Sequence, residues 1–156
     1  AIKSRRSIRA YKQTPLSAEQ TDVLIDAALA APSGMNAMPY RFIVIKNKAI
    51  LNEIDNGILY GAPCLIMIVI REDSTLSKID AGIAVQNIAL AAKSIGLDSV
   101  ILNMPSQIFL GKDAGTWRRR LNIPEGYVYG ISIAVGYADM EKAPHKPDRS
   151  KVCIIE

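Results

Sequence analysis

The run Cys64-Leu-Ile-Met-Ile-Val-Ile70 constrains the fold more than any other stretch of the chain. It is strand-sized, continuously apolar and rich in branched side chains. A half-exposed strand alternates apolar with polar residues, and this run has no polar position. It therefore reads as a central strand covered on both faces. The material around it is mostly helical. Ser17-Ala-Glu-Gln20 matches a capping box, and Val23, Leu24, Ala27, Ala28 and Ala31 follow at helical spacing, with the helix ending before Pro32. Ile79 to Ile95 is the longest helical segment. Ala81, Gly82, Ala84, Ala89, Ala91 and Ala92 lie among Ile83, Ile88, Leu90 and Ile95, so it is apolar almost all round and is expected to be buried, with small residues that let another helix approach closely. Gly96 is its C-terminal stop.

Short helices are expected over Lys48 to Asn56 and Asp113 to Leu121, and strands over Tyr40 to Lys46, Ser99 to Leu102 and Tyr129 to Tyr137. Pro32 to Pro39 reads as a loop. The last apolar piece, Val152 to Ile155, is explained by a terminal strand docked on a sheet, either its own or a partner's. Helices separate most strands, which makes the chain α/β or α+β and leaves that choice open. No repeat or low-complexity linker divides it, and 156 residues suit a single domain spanning 1–156.

Several functions are disfavoured. No apolar stretch reaches the ~18 residues of a membrane span, and the basic residues of Ala1 to Lys12 lack the apolar core of a secretion signal. Cys64 and Cys153 lie among Ile, Leu and Val and read as two buried free thiols in a reducing, cytoplasmic setting, with a disulfide between them as the alternative. No Cys, His and carboxylate cluster has metal-ligand spacing. His145 is the single histidine and no serine sits in a nucleophile elbow, so hydrolysis is discounted. The net charge of +4 is concentrated at the ends. Ala1 to Lys12 carries Lys3, Arg5, Arg6, Arg9 and Lys12 without an acid, and Lys142, His145, Lys146, Arg149 and Lys151 cluster near the other end around Glu141 and Asp148. Two such ends suit solvated tails, a nucleic-acid patch, or two halves of one anion site. A nucleic-acid binder wants stacking aromatics, and the first twelve residues offer only Tyr11.

Six short motifs, in order, resemble the FMN-dependent nitroreductases. They are Arg5-Arg6-Ser7-Ile8-Arg9; Ala31-Pro32-Ser33-Gly34-Met35-Asn36 running on to Phe42; Tyr60-Gly61-Ala62-Pro63 before the apolar strand; Asp80-Ala81-Gly82 opening a helix that ends in Gly96-Leu97-Asp98-Ser99; Ile123-Pro124-Glu125-Gly126-Tyr127 before a strand ending in Gly136-Tyr137; and Lys146-Pro147-Asp148-Arg149. Each is weak alone; their shared order spans nearly the whole chain. The resemblance implies a three-layer α+β fold, with a mainly antiparallel central sheet flanked by helices. It also implies a homodimer that exchanges C-terminal segments and holds FMN at the subunit interface.

The resemblance also implies roles for particular residues. Arg5 and Ser7 match positions that meet the FMN phosphate and ribityl chain, Arg6 contributes mainly backbone, and Arg9 matches the cation near the flavin's pyrimidine edge, where it favours the anionic reduced form. Lys146 and Arg149 match a basic pair that closes over the phosphate; the family spacing is one residue shorter, so Arg149 with Lys151 competes. Pro32, Ser33, Gly34 and Asn36 match a loop that reaches the flavin of the other subunit. Asn103 and Met104 fall where a backbone N–H meets flavin N5; Met104 stands where many relatives have Gly, and Pro105 has no N–H to give. No side chain is required as an acid or base. The implied activity is ping-pong hydride transfer from NADH or NADPH to nitroaromatics, quinones or similar small oxidants. The alternatives are a specialised reaction on one metabolite, such as dehalogenation or flavin breakdown, and a slow-turnover flavin-binding redox sensor. Little sequence lies between Lys48 and Leu59, or between Asn103 and Trp117, so the site is expected to be more open or differently lidded than in larger relatives.

Overall fold

Cys64 to Arg71 forms β2, and the run from Cys64 to Ile70 is at most 3% exposed. The computed structural model describes all 156 residues. Around β2 the chain runs α1 (Ala18–Leu29), β1 (Tyr40–Ile45), α2 (Lys48–Ile54), then α3 (Ser77–Ser94), β3 (Asp98–Leu102), α4 (Ser106–Phe109), α5 (Ala114–Arg120) and β4 (Tyr127–Gly136), with 3-10 turns at Gly34–Asn36 and Arg149–Lys151. The faces of β2 follow its two-residue period. Cys64, Ile66, Ile68 and Ile70 pack with Leu24 and Ala28 of α1 and with Ala84 and Ile88 of α3. Leu65, Met67 and Val69 pack with Leu51 and Ile54 of α2, Phe109 of α4 and Trp117 of α5. Burying each large apolar side chain here is worth about 1.5–3 kcal/mol. The result is three layers, as expected.

The sheet order is β1-β2-β4-β3, and every pairing is antiparallel. This settles the α/β or α+β choice. The α3 connection does make β2 and β3 run in the same direction, as a helical crossover should. They are not neighbours, because β4 lies between them, antiparallel to both. Where β4 meets β2 the register slips between Ile68 and Val69. Gly130 is the extra residue there; a Cβ on it would lie 2.8 Å from Ile70 Cγ2 and 3.0 Å from the Ile68 carbonyl oxygen.

The helix signals hold. Ser17 caps α1 by accepting from the Gln20 N–H, while the Gln20 side chain accepts from the Ser17 N–H. Gly96 follows α3 at φ 80°, a conformation that suits Gly.

Three expectations are corrected and one, the docking of the tail, is narrowed. The long helix is not buried all round: Ile79 is 62% and Ile83 37% exposed, because only one side of α3 meets the sheet and α1. Val152 to Ile155 forms no strand on the chain's own sheet, and Ile155 is 92% exposed. Cys153 lies in that segment and is exposed, whereas Cys64 is buried. The region after Asn103 holds the two short helices α4 and α5, of which only α5 was foreseen. Phe109 and Trp117 stand edge to face at 5.7 Å and belong to the core beneath those helices. No helix is long and apolar enough to cross a membrane.

Candidate functional site

The N-terminal arm is pinned along the sheet edge formed by β3. Ile8 and Tyr11 are the anchors, each under 10% exposed. The Ile8 N–H donates to the Ser99 carbonyl at 3.1 Å, and Ser7 forms a parallel bridge with Ser99. Tyr11 donates its hydroxyl to the Ile8 carbonyl at 3.0 Å, and the Lys12 N–H reaches the Tyr137 carbonyl at 2.9 Å. Burial raises the Tyr11 phenol far above the ordinary tyrosine range, with the charge on Asp98 adding to it. Arg5, Arg6 and Ser7, just before the first anchor, are half-buried, and Arg9, between the two, is exposed.

The two basic ends meet here. Arg6 donates through Nε to the Ala143 carbonyl at 3.1 Å and through Nη1 to the carbonyls of Lys3 and Arg5 at 2.8 and 2.7 Å. Its guanidinium is therefore engaged by backbone, which leaves Arg5 as the free fork. Lys142 Nζ donates to the Ser7 carbonyl at 3.2 Å, and the Arg9 N–H lies 3.3 Å from Met140 Sδ. Arg9 also sits over the Tyr60 ring at 6.0 Å. The chain's ion pairs are Arg71–Asp73, Lys93–Asp98 and Arg120–Glu53, so Arg5, Arg9, Lys142, Lys146 and Arg149 have no paired carboxylate. Such a set of unpaired guanidinium and ammonium donors fits a phosphate dianion. Lys146 lies three residues beyond Ala143, within about 11 Å of it. Arg149 and Lys151 are exposed and make no hydrogen bond to the arm. Residue patterns placed Lys142 in the basic cluster without a role, and Tyr60 in a motif without one; only the packing of the arm reveals them.

Asn103 and Met104 leave the far end of β3, both exposed. Their carbonyls accept from the N–H groups of Ser106 and Gln107 at 2.9 and 3.1 Å, while their own N–H groups have no acceptor in the chain. Since the Ser99 carbonyl faces the arm, strand alternation turns the Asn103 backbone to the same side. Ser7 and Asn103 thus mark two ends of one edge, roughly 13 Å apart at strand rise.

The loop before β1 lies elsewhere. β1 is the opposite edge of the sheet, and its first residue, Tyr40, pairs with Ile70 at the end away from Ser99. Pro32 and Asn36 are exposed, and Ser33 and Gly34 half-buried. Ser33 Oγ accepts from the Met38 N–H at 2.9 Å and so serves the loop itself; Asn36 makes no side-chain hydrogen bond to it. Met35, Asn36 and Met38 sit at φ 52°, 53° and 43°. Left-handed backbone at such residues costs roughly 1–3 kcal/mol each and persists only where the surroundings enforce it. Loop and arm occupy diagonally opposite corners, on the order of 20 Å apart. One chain alone does not bring its two sets of candidate residues to one ligand.

Known proteins share this fold. The Nitroreductase family model matches residues 2–58 and 50–137. A protein of Methanothermobacter thermautotrophicus with the provisional name NADH dehydrogenase/NAD(P)H nitroreductase is 37% identical over 147 residues, covering 88% of this chain and 75% of its own. The crystal structure of a nitroreductase with bound FMN from Desulfitobacterium hafniense DCB-2 superposes with a TM-score of 0.95 at 34% identity, covering 99% of this chain and 96% of that one. More distantly, the iodotyrosine deiodinase of Thermotoga neapolitana is 23% identical over 170 residues, covering 90% of this chain and 88% of its own.

Proposed function

The chain belongs to the nitroreductase family, and from that premise we propose that it is an FMN-dependent oxidoreductase, one domain over 1–156, that uses NADH or NADPH to reduce small oxidants such as nitroaromatics and quinones. The observation that carries the reading is the meeting of two unpaired basic segments on one sheet edge, with free N–H groups at its other end. When bound, FMN supplies the two-electron exchange between nicotinamide and oxidant. The chain's own residues bind and orient it. Arg5 and Ser7, closed over by Lys146 with Arg149 or by Arg149 with Lys151, hold the phosphate end, and Arg9 lies near the flavin's pyrimidine edge. Arg6 fixes the arm to the tail. The N–H of Asn103 or Met104 faces the ring's reacting edge, and no side chain need move a proton.

The loop carrying Pro32, Ser33, Gly34 and Asn36 reaches the site of a second copy, which accounts for its distance from its own arm. The exposed face of α3 at Ile79 and Ile83 and the apolar tail Val152–Ile155 then become homodimer contacts, since obligate interfaces resemble a divided core. Reductant and oxidant use the same face in turn, giving ping-pong kinetics. The test is an anaerobic titration of the purified protein with NADH and NADPH. Yellow colour released as FMN on denaturation, bleaching by a nicotinamide and return of colour with a nitroarene are expected; a colourless monomer that takes up no added FMN ends the reading. The similarity to a deiodinase favours a second reading, reductive dehalogenation; faster reoxidation by a halogenated phenol than by nitroarenes or quinones selects it. Reoxidation too slow for turnover selects a redox sensor instead.

A further inference from the structure

The loop from Pro32 to Pro39 is held at its stem, and its tip is a single turn closed by the Asn36 and Ala37 N–H groups on the Ser33 and Gly34 carbonyls. Tyr40 donates its hydroxyl to the Ala31 carbonyl at 3.1 Å, and the Arg71 N–H donates to the Pro39 carbonyl at 2.9 Å. A further hold comes from outside the loop. Asp80, in the first turn of α3, accepts from the Gly34 N–H through Oδ1 at 3.0 Å. Asp80 is only 3% exposed, and its Oδ2 is buried without a donor. An unmet carboxylate oxygen in the interior is unfavourable, and a solvent-facing acid would serve the helix N-terminus equally well. Burying this one is explained by what its other oxygen holds. On the same side Gly34 lies against Leu76, where a Cβ would come 2.5 Å from Leu76 Cδ1. Beyond this contact the tip carries the left-handed Met35 and Asn36, with Met35 93% exposed.

We infer that Asp80 is a positioning residue: its carboxylate fixes Gly34 against α3 and so presents the loop tip, with Asn36, pre-formed to the flavin site of a partner subunit. This rests on the FMN reading above. A tip already in its bound shape need not be ordered when the flavin arrives.

The test compares Asp80→Ala with Asp80→Asn, which keeps an acceptor for the Gly34 N–H. Two quantities are read: amide hydrogen exchange of residues 34–38 in FMN-free protein, and the Kd for added FMN by fluorescence quenching. Asp80→Ala is expected to speed exchange at Gly34 and to raise the FMN Kd by about tenfold each, and Asp80→Asn to keep both within about threefold, a tenfold change being about 1.4 kcal/mol. Gly34→Ala reaches the same hold from the other side. It should raise the Kd similarly, and adding Leu76→Ala should restore it; this pair decides the matter where Asp80→Ala does not fold. Unchanged exchange in Asp80→Ala means there is no hold. Faster exchange with unchanged Kd means the hold does not position the flavin site, and Asn failing as Ala does means charge, not the hydrogen bond, matters. Each overturns the inference and leaves the flavin reading standing. A parent chain that takes up no FMN overturns both.

Discussion

Two apolar runs, Cys64–Ile70 and Val152–Ile155, have similar composition and opposite fates. Each carries one of the chain's two cysteines. The first is the centre of the sheet with helices on both faces; the second lies extended in solvent on a single chain. The difference is in what surrounds them. β2 has pairing strands on both sides, β1 and β4, and a helical layer above and below. The tail leaves the arm after Ala143, and every residue beyond it is exposed. Apolar pattern states that a segment is to be buried, not which chain buries it.

The comparison can be broken or sharpened in four ways. The largest effect is expected at Ile68, which is fully buried. Ile68→Ala should cost about 2–5 kcal/mol in urea denaturation, while Ile155→Ala should leave the dilute monomer unchanged. Equal losses would mean that the tail is packed on its own chain. Next is the arm beside which the tail departs. Arg5→Ala should weaken FMN binding by about 10- to 100-fold, as expected for charge-assisted bonds worth about 1.5–3 kcal/mol, and the loss should shrink as salt screens the parent. Arg6→Ala should weaken it less, since that guanidinium already serves the Lys3, Arg5 and Ala143 carbonyls.

Third, removing residues 152–156 should raise the dimer dissociation constant by at least about tenfold, equivalent to about 1.4 kcal/mol; sedimentation of the same dimer at the same dilution would show that the tail contributes nothing there. The smallest effect at neutral pH concerns the thiols. Burial pushes Cys64 up to about 12. A folded-state value above the unfolded one favours the folded chain below the unfolded pKa of about 8.5, and that contribution is lost as pH rises toward 12. Cys64 should thus resist a disulfide reagent at pH 8 and contribute to alkaline unfolding. Cys153 should react at once in the dilute monomer and more slowly as dimer forms. Labelling of Cys153 that is independent of protein concentration would detach the tail from the interface.

The same split runs through the candidate site. The capping box at Ser17, the apolar run of β2 and the stop at Gly96 depend on neighbours within a few residues, and they were legible. The basic ends were visible as charge, but their meeting through Arg6 and Ala143 spans the chain and has no local signal. Asp80 read as one letter of a motif at a helix start. Its burial beside Gly34 follows from how the loop packs on α3. Likewise helices between strands left α/β or α+β open, yet α2 joins the antiparallel neighbours β1 and β2, and the insertion of β4 between β2 and β3 was hidden, because hydrophobic period specifies a face and not a neighbour.

The sequence by itself determined most of the elements, the two-sided burial of β2 and a concentration of positive charge at both ends, since these depend on side-chain type and short spacing. Only the tertiary structure decided the antiparallel order, the joining of the two ends on the β3 edge and the placing of the Gly34 loop at the opposite corner. Those are long-range arrangements, set by how whole layers bury one another's surface, and no window of residues contains them.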